Sequence, residues 1–371
     1  MITKKNIIHL IPTLGVGGAE KVILHICKNY DKEKYKITVI YWLDSEELLD
    51  QIKETGVEVI KLTMKKTISF EMVFKLSKIL KNISADLLHT HFFDSDLIGF
   101  FSSLLCNVPQ VIHIHSYPYP IETKHCIRYK IISLFCKKIL CVSEIVKDHV
   151  IKKTRINPSN VMVIHNGIEI DDIYDSLSNQ NILKTRTSFG IAKDAIILGN
   201  VGRLIAKKGQ KYLIQAMPLV LKKYPNIKLI IVGDGPLKSD LTQLVNSLSL
   251  ENVVILAGEL KNIPVLLNVF DFFIFPSINE SLGIAVIEAM AAGKPIIAIK
   301  DTGVSELIAN NEEGLLINPE NENEIADAII YMIENPVKTK EFGLKAKEKA
   351  KMFSAAIMVS KIQNVYDEIL S

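Results

Sequence analysis

Two glutamates, Glu280 and Glu288, are separated by seven residues in the run Phe275-Pro276-Ser277-Ile278-Asn279-Glu280-Ser281-Leu282-Gly283-Ile284-Ala285-Val286-Ile287-Glu288. The run continues as Ala289-Met290-Ala291-Ala292-Gly293-Lys294-Pro295. The apolar residues before it read as a strand and those around Glu288 as a helix, which places Glu280 in the intervening loop and Glu288 about one turn into the helix. A carboxylate among apolar neighbours costs free energy unless it hydrogen-bonds something, so Glu288 is a candidate for holding hydroxyl groups. Ser281–Gly283 opens the helix, and free backbone N–H groups there suit a phosphate. Two carboxylates could also form a glycosidase pair, but their loop-and-helix placement beside phosphate-binding groups argues against hydrolysis.

Positive charge to match a phosphate lies in Gly202-Arg203-Leu204 and Lys207-Lys208-Gly209, after a strand expected over 196–201. Ligands of doubly wound sheets sit beyond the carboxyl ends of strands. There an Arg fork and a Lys point charge could neutralise a diphosphate, with a solvated loop pair as the plain alternative. Gly15-Val16-Gly17-Gly18-Ala19-Glu20 is a glycine loop at a helix start. The dinucleotide fingerprint needs a third glycine where Glu20 stands, and Gly233-Asp234-Gly235-Pro236 fails likewise at Lys238. No Walker loop occurs, so a nicotinamide dehydrogenase and a P-loop enzyme both lose support. His113 and His115 sit two apart on one strand and share a face. Such a pair could bind zinc, but no third ligand at metal spacing is evident.

The elements that would position these residues alternate. Strands are expected over 6–11, 36–41, 57–62, 86–91, 110–115, 139–142 and 161–164, with helices over 19–29, 70–81 and after a Ser143 cap. A polar stretch, 171–190, reads as a linker. The pattern then restarts with strands at 196–201, 228–232, 253–256, 272–276 and 295–299 and helices over 209–222, 238–247, 263–269 and 284–292. Strand–helix alternation implies parallel sheets covered by helices, so the fold class is α/β with two doubly wound, Rossmann-like domains facing an interdomain cleft. The boundaries are 1–172, 173–352 and a C-terminal helix, 353–371, packing back on the first domain. Lys124–Lys138 is basic and apolar together: a surface helix on an anionic membrane, or a core-packed helix with charged ends. The core-packed form is the favoured reading.

Composition sets outer bounds. The chain has 371 residues, of which 48% are hydrophobic and 23% charged. That is ordinary for about two globular domains. A net charge of +3 is too small to argue for nucleic acid. Residues 1–170 hold 23 Lys/Arg against 17 Asp/Glu, and the remainder 21 against 24. The basic first half suggests an anionic partner such as a membrane face, with chance and a general lysine habit an equal alternative on sign alone. Five cysteines without a C-x-x-C pair fit a reducing cytoplasm. Neither a signal peptide nor a spanning helix is expected, because Pro12 interrupts the first apolar run and Asn107 and Pro109 the longest one.

The ordered set of Gly17-Gly18-Ala19-Glu20, His91, His115, Ser143-Glu144, Asn166-Gly167-Ile168, Arg203, Lys208, Gly233-Asp234-Gly235-Pro236, Glu280-x(7)-Glu288 with its A-M-A-x-G-K-P tail, and Gly303 with Glu306 resembles the retaining glycosyltransferases of family 4. The resemblance spans nearly the whole chain. It implies the two-domain GT-B architecture and a nucleotide-diphosphate-sugar donor. The glycine loop at Gly17 and Gly18 would lie near the donor phosphates, and Arg203 and Lys208, next to Gly202, would hold the diphosphate. Gly283 and Ile284 would offer backbone N–H groups to it. Glu280 would contact the transferred sugar, Glu288 the ribose hydroxyls, and His115 the sugar from the first domain. Ser281, Glu169 and Thr302 depart from the family's usual residues at their positions, which blurs the donor's identity.

The resemblance also implies retention without a protein nucleophile, no metal and no cofactor. Asp94-Ser95-Asp96 has the D-x-D form of metal-dependent transferases but falls in the first domain, where chance or an acceptor contact accounts for it better. The expected activity moves a hexose-type sugar to a glycan or lipid-linked acceptor in surface polysaccharide synthesis. The enzyme would be cytoplasmic, or peripheral on the inner face of the plasma membrane. The alternatives are a sugar-nucleotide epimerase or phosphorylase on the same fold, and an inactive nucleotide-sugar-binding regulator.

Overall fold

The computed structural model describes residues 4–63, 69–116, 123–175, 179–192, 194–260 and 262–371. They form two units, one from the N-terminus to Gly167 together with Ala355–Ser371, the other Ile168–Ser354. The divisions fall a few residues from the expected 172/173 and 352/353.

In the first unit, apolar runs that must bury both faces become strands of a parallel sheet. In chain order the elements are β1 (Lys5–Leu10), α1 (Gly18–Asn29), β2 (Tyr35–Tyr41), α2 (Leu49–Glu54), β3 (Glu58–Lys61), α3 (Phe70–Asn82), β4 (Leu87–His91), α4 (Phe93–Cys106), β5 (Gln110–Ile114), α5 (Thr123–Ile132), β6 (Lys138–Cys141), α6 (Glu144–Thr154) and β7 (Val161–Val163). The strands run parallel in the order β3-β2-β1-β4-β5-β6-β7. Alternate residues feed two cores. Ile7, Leu87, Val111 and Leu140 pack on the α1 side, while Ile8, Leu10 and Leu88 pack on the α3 side.

The second unit holds α7 (Ile170–Asp175), α8 (Asn179–Ser188), β8 (Ile196–Val201), α9 (Gln210–Leu221), β9 (Ile227–Val232), α10 (Lys238–Ser247), β10 (Val254–Gly258), α11 (Ile263–Val269), β11 (Phe272–Phe275), α12 (Ile284–Ala291), β12 (Ile296–Ile299), β13 (Gly314–Ile317), α13 (Glu322–Glu334) and α14 (Pro336–Ala350). Its parallel sheet runs β10-β9-β8-β11-β12-β13. The chain then returns to the first unit as α15 (Ala355–Leu370). Met358, Val359, Ile362, Val365 and Tyr366 recur at helical spacing and are buried in the core that α1 covers.

One expectation is corrected here. The stretch 171–190 is not a linker: α7 and α8 occupy most of it, and residues 176–178 lie outside the described residues. Its polarity reflects exposed helix faces, since Ile173 is buried on α7 while Asp172 is exposed.

Candidate active site

Both sheets reverse their winding direction, between β1 and β4 in one and between β8 and β11 in the other. Crevices at such switch points, outside the carboxyl strand ends, are where this topology binds ligands. Most of the sequence-derived residues fall on the loops leaving these strands, while Ile284 and Glu288 lie on α12 and His115 follows β5.

In the second unit the loop after β8 carries Gly202, Arg203 and Lys208, and the loop after β11 carries Ser277 and Glu280. Lys208 Nζ forms an ion pair with Glu280 Oε2, with side chains only 18% and 16% exposed, so the pair is largely shielded from water. Lys208 Nζ also lies 5.0 Å from the Phe275 ring centroid. Ser277 Oγ stands 3.2 Å from both Glu280 Oε2 and the Lys207 carbonyl, and Ile278 N donates to that carbonyl at 2.8 Å. The approach requires Gly209: at φ +67°, a Cβ there would sit 2.0 Å from the Pro276 carbonyl oxygen. Only glycine takes up that conformation without steric cost. The loop after β12 joins them, for Gly303 N donates to the Glu280 carbonyl at 2.9 Å. Arg203 is exposed and makes no side-chain hydrogen bond or ion pair among the described residues, while its carbonyl accepts from Gln210 Nε2.

Helix starts differ, and several, among them α2, α4, α10, α11 and α14, lack a side-chain cap. Ser69, Ser143 and Asn321 cap α3, α6 and α13 with their side chains. By contrast α1, α9 and α12 begin after Gly17, Gly209 and Gly283, with no side-chain cap. These are the helices that follow β1, β8 and β11 at the switch points. Their leading N–H groups and dipoles can therefore face an anion, as at Gly283 and Ile284. At Gly17 the carboxylate of Glu20 lies close by, where burial raises its pKa above the ordinary value. Glu288 is half-buried on α12 and has a partner within the protein.

In the first unit His115 follows β5 and joins a set that sequence reasoning did not assemble. His9 Nδ1 lies 3.0 Å from His91 Nε2, and His91 Nδ1 lies 2.8 Å from His115 Nε2. His89 Nδ1 lies 2.6 Å from the hydroxyl of Tyr366 on α15. The view that no third ligand accompanies His113 and His115 is thus corrected. His91 joins them, and His9, His89 and His91 form a second trio, each with ring nitrogens within 4.8 Å. The adjacent strands β1, β4 and β5 bring together histidines 82 and 24 positions apart in the chain. The H-x-H spacing at 89/91 and 113/115 was the available signal. Burial holds all five rings neutral, with His9 and His115 lowered to about 3 and the others well below their ordinary value.

Asp96 is structural. It is buried at the start of α4, accepting from Thr90 Oγ1 at 2.6 Å and Tyr129 Oη at 3.1 Å, and burial raises its pKa to about 7. Lys294, in the A-M-A-x-G-K-P tail, donates to the Asn268 carbonyl at 3.0 Å, and burial lowers it to about 8.

The mixed segment 124–138 packs one face into the core, as the favoured reading expects, with Tyr129, Ile132 and Cys136 buried, but it leaves a second apolar face outside. Ile127, Ile131, Leu134 and Phe135 are exposed, Leu134 at 75%. On the neighbouring α4, Phe101, Leu104 and Leu105 are exposed at i, i+3, i+4 spacing. The Phe100 and Phe135 rings, 5.6 Å apart, hold the two segments together. Among the described residues no helix is long and apolar enough to cross a membrane.

Residues 181–349 match the family described as Glycosyl transferases group 1, and residues 16–172 match Glycosyltransferase Family 4. An uncharacterized glycosyltransferase of Methanocaldococcus jannaschii is 30% identical over 305 residues, 78% of this chain and 77% of the relative. The UDP-Gal:alpha-D-GlcNAc-diphosphoundecaprenol alpha-1,3-galactosyltransferase of Escherichia coli is 26% identical over 344 residues, 89% of this chain and 88% of that protein. The crystal structure of Anabaena Alr3699/HepE in complex with UDP and glucose superposes with a TM-score of 0.87, covering 98% of this chain and 100% of that one at 25% identity. Two Rossmann-like sheets, the loops gathered at their switch points and matches across both units lead to one assignment: the chain belongs to the family 4 glycosyltransferases and has the GT-B fold.

Proposed function

We propose that the protein transfers a hexose-type sugar, with retention and without a metal or cofactor, from a nucleotide-diphosphate donor to a glycan or lipid-linked acceptor in surface polysaccharide synthesis. The observation that carries the donor reading is the Lys208–Glu280 pair beside the uncapped start of α12, with Arg203 on the same loop as Lys208. Breaking the sugar–phosphate bond builds negative charge on the leaving diphosphate. Arg203, Lys208 and the N–H groups of Gly283 and Ile284 stabilise it, and the fixed cations do so without reorganising solvent. When Lys208 turns to phosphate, Glu280 is released to accept from hydroxyls of the sugar, while Glu288 takes the ribose and His115 faces the sugar. The leaving phosphate receives the acceptor's proton, so no protein nucleophile is required. Gly17 and Gly18 let backbone approach the donor phosphates.

The test is a thermal-shift screen of nucleotide sugars, beginning with UDP-sugars because the Anabaena structure holds UDP. A ligand at 100 times its Kd adds about 2.7 kcal/mol of stability. Arg203→Ala should abolish the shift. No shift with any nucleotide sugar, or an undiminished shift in Arg203→Ala, would sink the donor site as drawn.

The exposed α4–α5 face supports a second element of this reading, peripheral contact with an anionic membrane. Apolar side chains there are interspersed with exposed Lys130 and Lys137. Each lysine near an anionic surface contributes about 1 kcal/mol. Vesicles containing anionic lipid should bind the protein at low salt and release it at high salt, and Lys130→Glu with Lys137→Glu should weaken binding. Lys138 is a poorer probe because it pairs with Glu368 on α15. Failure of the wild type to bind at low salt rejects the membrane element alone. The described cysteines are all free thiols, which supports a reducing, cytoplasmic setting.

A further inference from the structure

Five histidines face the α15 side of the first sheet: His9 on β1, His89 and His91 on β4, His113 on β5, and His115 just beyond it. Register places His9 beside His89 and His91 beside His113. His9, His89, His91 and His113 are fully buried. The Tyr366 hydroxyl touches two of the rings, His89 Nδ1 at 2.6 Å and His9 Nε2 at 3.4 Å.

The ring geometry argues for a hydrogen-bonded array over a metal centre. A tetrahedral metal needs in-plane lone pairs that converge on one point. Within the two trios the ring planes differ by 24° to 41°, with 24° for His9–His91, 25° for His91–His115, 38° for His91–His113 and 41° for His9–His89. Rings this close to parallel do not aim three lone pairs at one point, whereas an edge-to-edge N–H···N contact between two near-coplanar rings is allowed. Along His9–His91–His115 the nitrogens are separated by 3.0 Å and then 2.8 Å. Those are the lengths of direct hydrogen bonds.

A neutral imidazole has one N–H donor and one bare acceptor nitrogen. Fixing one end of such a chain therefore fixes every ring in it. Tyrosine has one hydroxyl proton, and hydrogen bonds donated by O–H are shorter than those donated by N–H. The 2.6 Å contact identifies His89 Nδ1 as the acceptor of that proton. The oxygen lone pair then faces His9 Nε2 at 3.4 Å, a long contact that favours a hydrogen on Nε2 over a second bare lone pair. His9 Nδ1 is left bare and accepts from His91 Nε2–H. His91 Nδ1 in turn accepts from His115 Nε2–H. We propose that Tyr366, His9 and His91 form a relay of positioning residues that locks His115 in its Nε2–H form, leaving Nδ1 as a hydrogen-bond acceptor for a substrate hydroxyl. His115 Nδ1 is buried and has no partner among the described residues, as an acceptor awaiting a ligand requires. The inference rests on reading His115 as a residue of the sugar site.

The test labels the full chain with ¹⁵N-histidine and reads the ring nitrogens by NMR near pH 7.5. Wild type should show protonated Nε2 and bare Nδ1 at His9, His91 and His115. Tyr366→Phe removes the anchoring hydroxyl and His91→Phe cuts the middle while retaining a stacked ring, so either variant serves if the other fails to fold. Each should turn the His115 signals into a mixture of tautomers. An Nδ1–H form of His115 in wild type, or an unchanged Nε2–H form in both variants, overturns the relay. So does one equivalent of Zn²⁺ shifting all five imidazoles together, which would make the cluster a metal centre. In sugar-transfer assays Tyr366→Phe should lower kcat roughly tenfold, the scale of one hydrogen bond, with donor KM nearly unchanged. Undiminished kcat overturns the functional half of the proposal. His115→Gln separates the two readings: full activity there rejects His115 as a site residue, whatever the tautomer spectra show.

Discussion

Lys208 and Glu280 each neutralise the other where both are mostly withdrawn from water. A charged hydrogen bond of this kind contributes about 1.5–3 kcal/mol, and the cost of losing one partner falls on the ion left behind. Glu280→Gln should therefore lower the melting temperature modestly, leave nucleoside-diphosphate binding intact and depress kcat, because Lys208 stays while the sugar loses its acceptor. Calorimetric titration with the nucleoside diphosphate beside steady-state kinetics checks all three. Arg203→Ala should show the opposite balance, with diphosphate affinity lost and the melting temperature unchanged, since the exposed guanidinium holds no side-chain partner among the described residues. Lys294 marks the boundary between site and scaffold. Its hydrogen bond to the Asn268 carbonyl shows that the conspicuous G-K-P tail ties the end of α12 to α11.

At the scale of elements, the loops leaving β8, β11 and β12 hold one another in place, and two glycines make that possible. Gly209 lies against the Pro276 carbonyl, and a Cβ at Gly303 would come within 2.0 Å of the Ser281 carbonyl. Gly209→Ala adds a side chain where φ is +67° and forces the β8 and β11 loops apart. Strain of this kind costs about 1–3 kcal/mol. The expected result is a lower melting temperature together with weaker donor binding. A variant that melts lower yet binds donor normally would show that the loops need not touch to form the site. Glycine starts to α1, α9 and α12 follow the same logic, because a side-chain cap would occupy the N–H groups that a phosphate needs.

Over the whole molecule, buried titratable groups set opposing pH trends. The five clustered histidines have folded pKa values below the ordinary 6.5 of the unfolded chain. The unfolded chain thus binds more protons, and stability falls as pH drops below about 6.5. Asp96 runs the other way. Its folded pKa of about 7 exceeds the ordinary 3.8. Its burden therefore grows as pH rises from about 4 to about 7. Urea melts from pH 4.5 to 8 should show wild type losing stability steeply on the acid side. Asp96→Asn should gain on wild type as pH rises through that window, and a constant difference between the two would refute the Asp96 assignment. Much of this protein was legible in its residues alone. Strand–helix alternation exposed two doubly wound units because periodicity is a local property. The Glu280-x(7)-Glu288 run and its cations were readable because each lies on one loop or helix. Tertiary structure alone decided the rest. It turned the polar 171–190 stretch into helices, left the apolar face of α4 and α5 exposed, returned α15 to the first core, and stacked histidines from three strands against Tyr366. Those outcomes depend on which distant segments become neighbours, and strand order, which a linear pattern does not encode, is what sets that.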